Sequence, residues 1–311
     1  MDEFFMNNEV LVSVIVISYH SAEYIEETLE SVYHQSYPRI ELFVADDCSK
    51  DDTAEIARAW MAKKADRFEN CIVRVNEVNQ GIPGNLNSAI RMASGVFIKI
   101  IAADDLLLPD CIEVNTRECL EKDYDHLCTW LVKFTDAENG RKEWTEEPCL
   151  PFFEASAQVQ SNMLLRKNYV YGSIFFFRRA YMEELGLYDE RYRMLEDYPM
   201  WVKITSRGDK LNFLNHPTVA YRISQSSISN GSGQRVVNVN YFRCYRRFFY
   251  DEIFPRLIQN GKFVALLLHW RDFFYRWLII WLGNDRSKRR VRFVEYFHQR
   301  RYLPGRRQQN G

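Results

Sequence analysis

The sequence lacks the short signatures of several common chemistries. No GxGxxG follows its first apolar run and no GxxxxGK[ST] occurs anywhere, so neither dinucleotide binding nor P-loop phosphoryl transfer is supported. The 6 histidines show no HExxH spacing and read as structural or surface residues. The 7 cysteines are scattered without a CxxC pair, which argues against a zinc or redox centre and for free thiols in a reducing compartment. The opening MDEFFMNNEV is acidic and has no long apolar core, so it does not read as a secretory signal. No uncharged apolar run reaches the ~18 residues of a membrane span, and no internal repeat or low-complexity segment is visible.

What is present is a chain of 311 residues, long enough for one large domain or two smaller ones, with an aromatic content of 15%. The near-zero net charge hides a split: residues 241–311 carry about +11 and residues 1–240 about −12. A basic end of this kind suits an anionic partner. Residues 263–282 on a helical wheel put Phe263, Leu266, Leu267, Trp270, Phe274, Trp277, Leu278 and Trp281 on one stripe, with Arg271, Asp272 and Arg276 outside it. Such a stripe fits packing against the main domain or an interfacial helix, and the basic run at residues 286–292 (RSKRRVR) would add attraction to anionic lipid.

The first hundred residues alternate strand and helix patterns. Residues 10–17 (VLVSVIVI) are a nearly continuous β-branched run, as expected of a strand buried on both faces. Ser21 can cap a helix carrying Ile25, Leu29 and Val32 at helical spacing. Further strands are expected at 40–45, 71–75 and 96–101. Helices are expected at 51–63, with Ile56, Ala59 and Trp60 inward, and from Pro83 to Gly95. Residues 196–207 and 241–300 also read as helical, whereas 110–195 is mixed. The alternation implies a mostly parallel sheet with right-handed crossovers, whose ligands bind beyond the carboxyl ends of the strands. Those ends carry Ser18 and Tyr19, Asp46 and Asp47, Asn79 to Gly81, and Asp104 and Asp105. An acid-lined edge without a basic phosphate cradle suits Mg²⁺ or Mn²⁺, which then carries the phosphates. Taken singly, each acidic pair reads equally as a turn, a helix cap or solvated charge at a helix start.

In order and in register, the residues resemble family 2 of the inverting glycosyltransferases, which have the A-type glycosyltransferase fold. The resemblance runs from VSVIVISYHSAEYIEETLESVYHQSYPRIELFVADDCSKDDT through NQGIPGNLNSAIRMASG and FIKIIAADDLLLPD. It resumes at IFFFRRAYMEELGLYDERYRMLEDYPMWVKIT and ends near YRISQSSIS. It implies a Rossmann-like sheet flanked by helices, with a helical C-terminal extension. Residues 1–235 would be the catalytic domain (10–109 nucleotide-sugar half, 110–235 acceptor half) and 236–311 the basic, aromatic extension. By the same resemblance, Ser18 and Tyr19 match the loop packed on the nucleotide, and Asp46, with Asp47 beside it, matches the acid that reads the base. Asn79 and Gly81 match the turn over the nucleotide. Asp104, followed by Asp105, matches the last acid of the metal-binding DxD motif, and Arg222 a basic residue near the diphosphate. Glu196 and Asp197 match the ED pair, with Asp197 the catalytic base. One departure is that the family's first acid is replaced here by Ala102.

The implied activity is transfer of glucose or galactose from a UDP-sugar to GlcNAc-diphospho-undecaprenol. It would form a β1,3 linkage in O-antigen assembly at the cytoplasmic face of the bacterial inner membrane. The extension would sit on the anionic surface and nucleic acid would play no part. The alternative is a non-catalytic nucleotide-sugar-binding or scaffold protein.

Overall fold

The computed structural model describes residues 10–136, 140–223 and 235–300. The opening residues 1–9 and the family-like stretch at 224–229 lie outside the described residues. Contacts divide the chain into two compact units, Met1–Ile223 and Ser224–Gly311.

The first unit is built on a nine-stranded sheet in the order β3-β2-β1-β4-β8-β6-β9-β5, with β7 paired to β6. Strands β1 (Val12–Ser18), β2 (Ile40–Asp46), β3 (Asn70–Val75) and β4 (Phe97–Ala102) are parallel. In β1 and β2 nearly every residue is buried, because helices cover both faces of a parallel sheet. Each fully buried Val or Ile there contributes about 1.5–3 kcal/mol. The crossovers are helices α1 (Ile25–Tyr33), α2 (Thr53–Lys64) and α3 (Ile82–Ile90). Two local expectations are corrected. Ser21 is not the cap of α1; it lies three residues before the Tyr24 cap, and its carbonyl accepts the amides of Tyr24 and Ile25. The inward face of α2 is Ala54, Ala57, Trp60 and Met61, while Ala59 is exposed. The Trp60 indole there finds a partner in Glu30, at 2.7 Å.

Beyond β4 the sheet becomes mixed. Its elements are β5 (Leu106–Leu107), α4 (Cys111–Glu121), β6 (His126–Thr135), β7 (Lys142–Trp144), α5 (Leu150–Phe153) and α6 (Ala157–Leu164). After them come β8 (Phe175–Arg178), α7 (Arg179–Glu184), α8 (Asp197–Ser206) and β9 (Phe213–Arg222). β8 runs antiparallel between β4 and β6, and β5 antiparallel to β9. β9 tolerates Pro217 because its register with β6 shifts around Trp130.

The second unit is helical: α9 (Val239–Phe248), a π-helical turn (Phe249–Ile253), α10 (Phe254–Gln259), α11 (Phe263–Trp281) and α12 (Arg289–Arg300). The Asn238 side chain caps α9 by accepting from the amides of Asn240 and Tyr241. Phe249 is fully buried, with its ring 4.7 Å from His269 and 4.9 Å from Phe273. The wheel stripe of α11 therefore divides. Leu266 joins Ala265, His269 and Phe273 on the buried face, and Phe263, Leu267, Trp270, Phe274, Trp277 and Trp281 are exposed. Among the described residues no helix is long and apolar enough to cross a membrane.

Candidate functional site

Parallel pairing sets Ser18 beside Asp46 at the ends of β1 and β2. The Ser18 hydroxyl donates to Asp46 at 3.0 Å, and Ser49 donates to the same carboxylate through its hydroxyl (2.5 Å) and amide (2.8 Å). Asp46 is fully buried by these contacts, and Tyr19 next to it is 53% exposed, edge-on to His20. The Asp47 carboxylate accepts from the Asn76 side chain (3.0 Å) and from the amides of Gln80 (2.7 Å) and Gly81 (2.9 Å). Asn79 donates back to the Asp47 carbonyl at 3.2 Å. Asp47 thus builds the 79–81 turn. Gly81 is required there: its φ is +80°, and a Cβ would lie 2.6 Å from the Arg193 carbonyl oxygen.

At the end of β4 the Ala103 amide bonds the Ile17 carbonyl, which puts Asp104 and Asp105 on the same edge. Asp105 is buried and accepts from the Arg222 amide at 2.8 Å. Burial, then the charge of Asp104, pushes its carboxyl well above the ordinary range. Asp104 is partly exposed; burial raises its pKa against the pull of Arg222. Arg222 donates through Nε to the Asp104 carbonyl at 2.7 Å and through its other nitrogens to Glu27 and Asp136. Its guanidinium lies 4.5 Å from the centres of the Tyr24 and Phe134 rings. The group expected near the diphosphate is therefore engaged in holding the acidic turn. Glu27, Asp136 and Arg141, which pairs with both acids, complete a network that sequence reasoning missed; its members lie up to 195 positions apart.

Glu196 and Asp197 open α8. Asp197 accepts from the Tyr198 amide at 2.6 Å and from the Asn168 side chain at 2.8 Å. A helix N-terminus favours ionised acids, but burial outweighs it here. The pKa of Asp197 rises to about 6, and that of Glu196, with the added charge of Asp197, to about 8. The preceding loop is tied to α3. Arg193 accepts the Ile82 amide at 2.9 Å and donates to the Asn79 carbonyl at 2.7 Å, and Asn87 bonds both backbone groups of Tyr188. The pair is thereby linked to the 79–81 turn. Gly172 packs so close that a Cβ there would lie 3.0 Å from a Glu196 carboxylate oxygen. Asn168, the partner of Asp197, carries no sequence signal.

Among the described residues no cluster of three or more His, Cys, Asp or Glu could enclose a metal. A single desolvated carboxylate such as Asp104 fits a cation that takes its remaining ligands from phosphate and water, which is the habit of Mg²⁺.

The family described as Glycosyl transferase family 2 matches residues 13–186. TuaG of Bacillus subtilis, named for teichuronic acid biosynthesis, is 27% identical over 72% of this chain and 83% of its own length. WfaP of Escherichia coli, named UDP-Glc:alpha-D-GlcNAc-diphosphoundecaprenol beta-1,3-glucosyltransferase, is 26% identical over 70% of this chain and 80% of its own. Among solved structures, S. aureus TarS 1–349 in complex with UDP-GlcNAc superposes with a TM-score of 0.58 at 20% identity, covering 76% of this chain and 64% of that one. The chain spans 39% of the longer TarS chain. Mannosyltransferase PcManGT from Pyrobaculum calidifontis, in complex with GDP-Man and Mn²⁺, has a TM-score of 0.55 at 22% identity over 81% of this chain and 65% of its own. These structural likenesses show a shared fold.

Proposed function

Because the chain belongs to glycosyl transferase family 2, we propose that it is an inverting, metal-dependent hexosyltransferase. It moves glucose or galactose from a UDP-sugar to GlcNAc-diphospho-undecaprenol with a β1,3 linkage, as a step of O-antigen repeat-unit synthesis. The observation that carries this reading is the Glu196 and Asp197 pair. Its ionisations are driven into the neutral range, and it opens a helix that follows a loop tied to the 79–81 turn. The name of WfaP supports the donor and acceptor classes.

In this reading Asp197, held by Asn168, removes the proton from the acceptor hydroxyl, which attacks the anomeric carbon from the face opposite the diphosphate. Glu196 keeps its proton until about pH 8 and lies beside the base as a neutral hydrogen-bonding group. Ser18, Tyr19, Asp46 and the 79–81 turn receive the nucleoside. Asp47 acts through that turn, and Arg222 and Asp105 act through the turn that carries Asp104. Asp104 would hold Mn²⁺ or Mg²⁺, which when bound supplies positive charge to the leaving diphosphate.

The exposed aromatic side of α11, with exposed Arg286, Arg289, Arg290 and Arg292, supports peripheral attachment to an anionic membrane at the cytoplasmic face of the bacterial inner membrane. The test is UDP release from UDP-glucose and UDP-galactose with GlcNAc-diphospho-lipid analogues, the product linkage being read by NMR. Donor binding without release from any donor would sink the reading in favour of a non-catalytic nucleotide-sugar-binding or scaffold protein, which the loss of an acid at Ala102 favours.

A further inference from the structure

Lys99 sits in the middle of β4, the parallel strand that adjoins the mixed half of the sheet, and its side chain is fully buried. A lone ammonium in a sheet core is costly, and an apolar residue of similar volume is often neutral or better in its place. The fold therefore calls for a local reason for this cation. Its Nζ donates to the Ser173 carbonyl at 2.6 Å. Ser173 belongs to the short 3-10 turn Gly172–Ile174, which leads into β8, where Phe176 pairs with Lys99. The other side of the turn meets Glu196 through Gly172. Cys111, Cys128 and Asp105 are the ionisable groups near the ammonium, and burial holds each of them toward its neutral form. Burial drives the ammonium pKa down. The rest of the turn has weak internal support: the Thr129 hydroxyl reaches the Ile174 carbonyl at 3.4 Å, and the buried Ser173 hydroxyl has no partner among the described residues.

We propose that Lys99 is a positioning residue for the acceptor end of the site, its ammonium holding the Gly172–Ile174 turn against Glu196 from the strand that runs on into the turn carrying Asp104. The acceptor end is so defined by the reading of Glu196 and Asp197 given above. One buried cation then sets the separation between the group that receives the diphosphate and the pair that receives the acceptor proton. A reacting pair misplaced by ~1 Å can lose about 10²-fold in rate.

The test uses the full chain and Lys99→Met, which keeps an unbranched side chain one atom shorter and removes the donor. Hydrogen exchange at residues 172–176 and 195–198 is expected to quicken by about tenfold, with residues 79–82 unchanged. UDP affinity in Mn²⁺ should stay within about threefold, while acceptor-dependent UDP release falls by about 10²-fold with a raised acceptor KM. Gly172→Ala, which presses on Glu196 from the same turn, should raise the acceptor KM and spare UDP binding. Unchanged exchange at 172–176 overturns the proposal. So does exchange that quickens equally at 79–82, since the lysine would then only stabilise the core. A wild-type chain that releases no UDP refutes the transferase reading instead, and the exchange result still decides whether Lys99 holds the turn.

Discussion

The strongest test of the site separates its two adjacent carboxyls by pH. Asp197 ionises at about 6 and Glu196 at about 8. A base works only when deprotonated, so kcat/KM should climb through pH 6. It should stand at about nine-tenths of its plateau at pH 7 and about a tenth at pH 5. Asp197→Asn should remove that limb and lower kcat by about 10²–10⁴-fold, with UDP affinity nearly intact. The fold should survive the loss of one of the two bonds that Asp197 accepts; Asn168 is kept from turning over by the Val170 amide at its oxygen, so the unmet group costs about 1–3 kcal/mol. Glu196 still holds its proton when Asp197 loses its own, so the near-isosteric Glu196→Gln should be mild and leave the limb near pH 6. Stability supplies a check of sign. Both carboxyls bind protons more tightly in the folded chain, so their contribution to stability is fully present at low pH. It is lost as pH rises from the ordinary carboxylate range to about 6 for Asp197 and to about 8 for Glu196, so the wild-type Tm should fall relative to Asp197→Asn between about pH 4 and pH 6. A near-normal kcat in Asp197→Asn, with loss in Glu196→Gln, would reverse the roles. Activity in both variants would put the base elsewhere.

Three further outcomes are expected. Asp104→Ala should abolish turnover in a folded chain, and chelation of divalent metal should do the same to the wild type; full activity in EDTA refutes the role given to Asp104. Gly81→Ala should lower UDP affinity and thermal stability together: a backbone at φ +80° and ψ 168° is open almost only to glycine and costs a side chain about 1–3 kcal/mol, and the new Cβ disrupts the contact with Arg193. Calorimetry with UDP and a melting curve read both effects. Replacing Arg286, Arg289, Arg290 and Arg292 by Ser should weaken binding to anionic vesicles and flatten its salt dependence, at about 1 kcal/mol per residue near the surface, and unchanged affinity refutes the membrane role.

The parallel half of the fold was legible because its information is local. β1, β2 and β4 are nearly continuous apolar runs that a sheet covered on both faces accommodates, and their ends lead directly to Ser18, Asp46 and Asp104. Helix faces were less legible: in α2 the small residues Ala54 and Ala57 turn inward beside Trp60 while Ala59 faces solvent, a choice made by packing. The second half resisted reading because its strands are short or interrupted, β8 being four residues long and β9 containing a proline. The supports of the site were hidden for a related reason. Asn168 reaches Asp197 across 29 positions and Arg222 reaches Glu27 across 195. No local period or spacing encodes a contact between segments so far apart.

The pairing of β5 with β9 has a consequence for the chain as it is synthesised. Leu106 and Leu107 become a strand only when Ala220 and Val219 lie beside them, and the next residues complete the support of the acidic turn through the Arg222 backbone and side chain. A ribosome that has emitted the first hundred or so residues has released the four parallel strands but not the clasp that shapes Asp104. The nascent N-terminal half is therefore a sheet whose acidic turn is unfinished. That turn is completed only after more than a hundred further residues have emerged, so its shape depends on the second half of the sheet.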